Sequence, residues 1–211
     1  MAAWGERDPQ RFLAYWQAHG MPDAELEGQM RDSERLLAAV HWVRDPELLE
    51  RGDELDGWRV EVLRGHADGH IVLLRDGVLI AGDTILQGIT PAIGLYPNSR
   101  PDPLGDYLET LQRIVELAPR IAYAGHKEPI EDPAGRAREI LEHHRERLDG
   151  TAAALTADPK SAYEVSLSLF ERDLPPTLRR FATAESLAHL ERLVREGRAE
   201  RVGLSYRSDT I

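Results

Sequence analysis

Apolar residues recur at helical spacing through the first forty positions. The pattern predicts one helix over about Pro9–His19, with Phe12, Leu13 and Trp16 on one side, and another over about Pro22–Val40, with Leu26, Met30 and Leu37. Gly20 falls where a C-terminal cap belongs and Pro22 suits a first helical turn. A short stretch rich in Asp, Glu and Gly follows, and the period then changes from helical to alternating. Trp58, Val60 and Val62 alternate with polar residues, and the apolar runs Ile71–Leu74 and Val78–Ala81 are split by Asp76-Gly77, a strong hairpin signal.

The Gly- and Pro-rich stretch Gln87–Pro103 is too long for an ordinary connection and is a candidate binding loop. Asp102-Pro103 opens a helix carrying Leu104, Tyr107, Leu108, Leu111, Ile114 and Val115, and Asp132-Pro133 opens another carrying Ala137, Ile140, Leu141 and Leu148. Between them Ile121–Ala124 reads as a short strand. Strand, strand, helix, strand, helix is the order of an α/β layered fold. After Gly150 the character changes. Ser161-x-x-Glu164 is a capping box opening a helix through Phe170, further helices are expected over Pro176–Phe181 and Ala184–Glu196, and Ala199–Arg207 alternates as one or two strands. This order predicts a partial α/β domain over residues 1–150 and a winged-helix-like domain over 151–211.

Composition narrows the chemistry. The 211 residues contain no cysteine, so any metal must be held by His and carboxylate. The net charge of −11 disfavours a polyphosphate partner. The acidic excess lies in residues 1–150, with 17 Lys and Arg against 28 Asp and Glu, whereas residues 151–211 hold nine of each. Without a long apolar run or a leader-like N-terminus, a cytoplasmic location and no membrane are expected.

Three segments place a metal-competent side chain beside glycine at the end of an expected strand: Gly65-His66-Ala-Asp68-Gly69-His70, Gly82-Asp83 and Gly125-His126. Ligands in α/β sheets gather beyond the carboxyl ends of strands, and two imidazoles with a carboxylate suit zinc, iron or manganese. Taken singly, each histidine reads more readily as a surface or packing residue, and Gly82-Asp83 as a turn. The adjacent His143 and His144 point in different directions on one helix and read as surface or packing residues.

Together with the loop Gly88–Pro103 and the string Ala124-Gly125-His126-Lys-Glu-Pro129, these motifs resemble the metallo-β-lactamase superfamily, from about Trp4 to the C-terminus. The branch they resemble is that of glyoxalase II-like and β-lactamase-like hydrolases with a winged-helix-like C-terminal domain. The resemblance implies that His66 is a ligand of a first metal, that Asp83 bridges two metals and that His126 completes the second. One or two divalent ions are implied, zinc in the first place, with iron or manganese as alternatives. It further implies a small-molecule substrate carrying an ester, thioester, lactam or phosphodiester bond. His70 has a supporting role beside substrate. Thr90, Tyr96 and Ser99 could face substrate, although packing and turn roles are the preferred reading.

The family's early His-x-His-x-Asp-His motif, with its catalytic Asp, has no counterpart here: His19 and His41 stand alone. The resemblance therefore implies that about one hundred residues, roughly the first half of an αββα sandwich, would precede this segment. Metal binding by this chain alone is expected to be weak or absent, and a sheet edge and an apolar face are expected to lie uncovered, open to a second copy or a complementing chain. Three accounts stay open: a truncated form of an active hydrolase, a short protein that completes its site with another chain or has lost catalysis, and a family-like scaffold with another task. The rival in a different class is a noncatalytic module in which residues 151–211 contact protein or DNA through Arg179, Arg180, Arg192 and Arg195. The interleaved acids argue instead for i,i+4 pairing on a solvated face, and nucleic acid is not expected as a partner.

Overall fold

The computed structural model describes residues 9–27 and 45–209. The chain divides into two compact units: Glu47–Leu95 with Ser99–Asp149, and Met1–Pro46 with Tyr96–Asn98 and Gly150–Ile211. The N-terminal segment thus groups with the C-terminal residues, whereas the sequence reading placed it in a domain of residues 1–150. No helix among the described residues is long and apolar enough to cross a membrane.

The first unit is built on a five-stranded sheet of β1 (Glu54–Leu55), β2 (Trp58–Val62), β3 (Ile71–Arg75), β4 (Val78–Gly82) and β5 (Ile121–Ala124), in that order. All neighbours are antiparallel except β4 and β5. Asp76 and Gly77 both take positive φ, 50° and 75°, as a type I′ hairpin requires. Asp56 and Gly57 do the same at 49° and 77°, making a β1–β2 hairpin within the stretch that the sequence reading left without an element. The crossover from β4 to β5 contains a helix, Pro103–Leu117. It is started by the Asp102 carboxylate, which accepts from the Gly105 N–H at 2.9 Å, and by Pro103 in its first turn. The helix Pro133–Ala154 follows β5, with Asp132 accepting from the Gly135 N–H at 2.8 Å.

Cross-strand partners share a face, and on one face Glu61, Val72, Leu79 and Ala122 are all buried. Leu104, Tyr107, Leu111 and Ile114 of the crossover helix are fully buried, as are Ala137 and Ile140 of the next. At about 1.5–3 kcal/mol for each large apolar side chain removed from water, this layer is the main stabilising element of the unit. On the other face Ile71, Ile80 and Tyr123 stay 38%, 39% and 45% exposed, while Val60 is fully buried.

In the second unit the helix Pro9–Ala18 carries Trp16 into a cluster with Met21, Leu26 and Ala184, against which Phe12, Tyr15, Tyr96 and Tyr163 pack. Gly20 follows at φ 89°, where a Cβ would meet Ser161 Oγ at 2.3 Å. Of the helix expected over Pro22–Val40, residues 23–27 are helical and 28–40 lie outside the described residues, as does His41. The helix Ala162–Leu169 starts with the expected capping box, Ser161 with Glu164.

The two helices expected beyond it are one, Pro176–Arg195. Ala182 and Thr183 carry no helix-breaking geometry, and the Thr183 hydroxyl donates to Arg179 O at 2.9 Å, within the helix. Arg179 is fully buried, with Nη2 donating to the carbonyls of Glu171 and Arg172, so it is not part of a basic surface. Arg192 pairs with Glu196 at i,i+4 spacing, 2.8 Å. The hairpin Ala199–Val202 with Ser205–Ser208 ends the described chain.

Candidate metal centre

The register between β4 and β5 shifts between Ile80 and Gly82, so one extra residue of β4 bends the strand end. The two ends then meet directly: the Gly125 N–H donates to Gly82 O at 2.8 Å. This sets Asp83, the residue after β4, beside His126, two residues beyond β5. Glycine at 125 leaves the carboxylate its place, because a Cβ would lie 2.6 Å from Asp83 Oδ1 and push it aside. Lys127, after His126, takes φ 70°, a strained value for a side chain of its kind.

His66 approaches from the loop after β2. Its Nε2 is 3.9 Å from Asp83 Oδ2, and His126 Nε2 is 3.6 Å from the same oxygen. Both separations are too long for hydrogen bonds and close to the roughly 3.4 Å between two ligands of one tetrahedral zinc. Asp83 Oδ1 is buried with no hydrogen-bond partner, an acceptor with spare capacity. His66 Nδ1 lies 3.1 Å from Ala92 O, and a proton donated there leaves the Nε2 lone pair facing the carboxylate, the orientation usual for a metal-ligating histidine. Among the described residues no three His, Asp or Glu side chains close into a preformed cage. The arrangement is two imidazole–carboxylate pairs that share Asp83 Oδ2.

His70 sits beside this group, its ring 6.1 Å from that of His66. Its Nε2 is 3.2 Å from Ala81 O, and a Cβ on Gly82 would meet that nitrogen at 2.8 Å. Burial pushes His70 below the usual imidazole range, its bond to Ala81 opposing, and that bond holds the ring against the bulge of β4.

The structure therefore brings His66, His70, Asp83 and His126 together. Thr90 instead lines an open cleft of about 390 Å³ with Arg136, Glu139 and His143. Tyr96 packs edge-on against Trp16 in the other unit, and burial pushes its phenol up to about 12. His144 is buried with its ring on Tyr107, 5.4 Å between centroids. Sequence reasoning missed the Ala92 carbonyl behind His66, and it missed Asp68, whose carboxylate accepts from the Arg100 N–H at 3.2 Å and ties the two loops. Asp68 lies inside a flagged motif; a main-chain carbonyl leaves no trace in a sequence.

A family model of the metallo-beta-lactamase superfamily matches residues 4–126, more than half of the chain, and a model of the metallo-beta-lactamase-like C-terminal domain matches residues 148–204. The chain belongs to the metallo-beta-lactamase superfamily. It is 31% identical over 157 residues to a probable metallo-hydrolase of Bacillus subtilis, covering 68% of this chain and 47% of that protein. A metallo-beta-lactamase family protein of Thermus thermophilus matches at 38% identity and a TM-score of 0.85, covering 97% of this chain and 66% of that one. A beta-lactamase domain protein of Burkholderia ambifaria matches at 30% and 0.81, covering 92% and 60%. The fold is thus that of metallo-beta-lactamase relatives, and the chain spans about half the length of the curated relatives it matches.

Proposed function

We propose that His66, Asp83 and His126 are this chain's share of a hydrolytic centre for divalent metal, with Asp83 placed to serve two ions. The observation that carries the reading is the Asp83 carboxylate, with one oxygen buried and unpartnered and the other facing two imidazole Nε2 atoms at 3.9 and 3.6 Å. His66 would hold one ion and His126 the other. Zinc suits this N/O set best, with iron or manganese as alternatives. Bound there, a divalent ion supplies Lewis acidity and lowers the pKa of a coordinated water towards neutrality. The chain's own residues do the rest. Ala92 orients the His66 ring, the glycine at 125 lets the carboxylate approach, and His70 braces the β4 end. The bond cleaved by addition of water would be an ester, thioester, lactam or phosphodiester in a small-molecule substrate.

Each ion receives one histidine and a share of one carboxylate from this chain, fewer than the three protein ligands of a usual catalytic zinc. Zinc binding by the 211-residue chain is therefore expected to be weak but saturable, and to disappear in Asp83→Ala. Competition against a fluorescent chelator measures it. Equal zinc binding by the parent and Asp83→Ala would remove the site, and stoichiometric metal retained through purification would contradict weak binding.

A further inference from the structure

We propose that Tyr107 and Thr110, one turn apart on the buried face of the helix Pro103–Leu117, are positioning residues that hold the loops of His66 and Asp83 in register before any ion binds. The inference rests on reading His66 and Asp83 as ligands. Thr110 is 4% exposed and its hydroxyl donates to Arg64 O at 2.8 Å, two residues before His66. Tyr107 is fully buried and its hydroxyl donates to Thr84 O at 3.0 Å, one residue after Asp83. The same tyrosine touches the His66 loop. Gly65, at φ 124°, lies so close that a Cβ there would meet Tyr107 Cβ at 2.4 Å and Cα at 2.7 Å. The His144 ring packs edge-on against Tyr107, 5.4 Å away between centroids.

One helix face thus reaches the main chain on both sides of the ligand pair. The topology leaves work for such ties: pairing of β4 with β5 ends at the Gly125–Gly82 bond, and residues 83–102 contain neither helix nor strand, so no ladder holds the chain that leaves Asp83. A phenylalanine or a valine would fill the same space, so volume alone does not account for the two hydroxyls. Burial pushes the Tyr107 phenol well above its usual range, which keeps it a donor at every working pH.

The test uses the full chain with Tyr107→Phe and Thr110→Val, which remove one hydroxyl each. Thr183→Val is the control, losing a buried hydroxyl in the other unit. Zinc affinity is measured by chelator competition and local order by amide hydrogen exchange without metal. Tyr107→Phe should weaken zinc binding about tenfold, the scale of lost outer-shell partners, and speed exchange at the Thr84 and Gly125 amides. Thr110→Val should do the same at the Leu63 and His70 amides, and Thr183→Val should do neither. Zinc affinities within about twofold of the parent, with exchange unchanged or raised evenly across the sheet, would overturn the inference. Wild-type zinc binding in Asp83→Ala would instead overturn the ligand reading, and the exchange patterns would still decide whether the two hydroxyls hold the loops.

Discussion

The absence of a side chain at two positions is as important to the site as any ligand. At Gly125 an added Cβ would stand 2.6 Å from Asp83 Oδ1, so Gly125→Ala should turn the carboxylate away from the two imidazoles. Zinc affinity is expected to fall by about tenfold or more while the melting temperature changes little, since residue 125 is exposed. Unchanged affinity would show that the carboxylate is not held where the structure puts it. Gly65→Ala is a different case. It combines φ 124° with backbone and side-chain atoms of Tyr107 at 2.4–2.7 Å, and should cost about 2–4 kcal/mol of stability, readable by urea unfolding. The ligand candidates were legible because His66, Asp83 and His126 each follow glycine at a strand end. Their partners were not: Tyr107 read as an ordinary helix-face residue, and Thr110 carries no local signal at all. That Tyr96 packs on Trp16, and not among the histidines, depends on a loop path that no local pattern encodes.

Among the elements, β2 carries a buried carboxylate, Glu61, whose side chain is 3% exposed. It pairs with Arg113 and Arg59 at 3.1 Å each and with Arg51 at 3.5 Å. Glu61→Gln would leave Arg113, on the crossover helix, without its main anion. The expected cost is about 2 kcal/mol, below the range for a fully buried pair because the arginines are partly exposed. A loss under about 0.5 kcal/mol in chemical denaturation would show that packing alone joins helix and strand. The strands, the Asp76-Gly77 turn and the Asp-capped helices were legible because period, turn chemistry and caps agree there. The two-residue strand β1 was too short to show a period, and its Asp56-Gly57 turn was absorbed into a polar stretch. The division expected inside Pro176–Arg195 falls at Ala182–Thr183, where the structure buries both residues on a continuous helix. The shift in register that sets Asp83 beside His126 depends on the pairing of strands forty residues apart.

At the scale of the whole chain, stability should depend on pH through histidines that the fold buries, and His19 allows a clean test. It is 6% exposed, packs edge-on against Tyr15 at 4.6 Å, and its Nδ1 has no hydrogen-bond partner. Burial is the main cause that pushes its pKa below 6.5; Glu191 opposes the shift and Arg201 adds to it. Between that depressed value and the unfolded value of about 6.5, the unfolded chain binds a proton that the folded chain refuses, so stability rises with pH across the window. It is fully present above the unfolded value and declines as the pH falls towards the folded one. His70 and His143 are shifted the same way, so the melting temperature should drop as the pH falls through and below the ordinary histidine value of about 6.5. His19→Phe keeps the ring contact and removes one of the three. Its melting temperature should fall less steeply over that range, gaining on the parent as the medium becomes more acid. Parallel profiles for the two proteins would mean that His19 accepts its proton without strain to the folded state, and that its burial among Tyr15 and the Glu191–Arg201 pair does not set its charge.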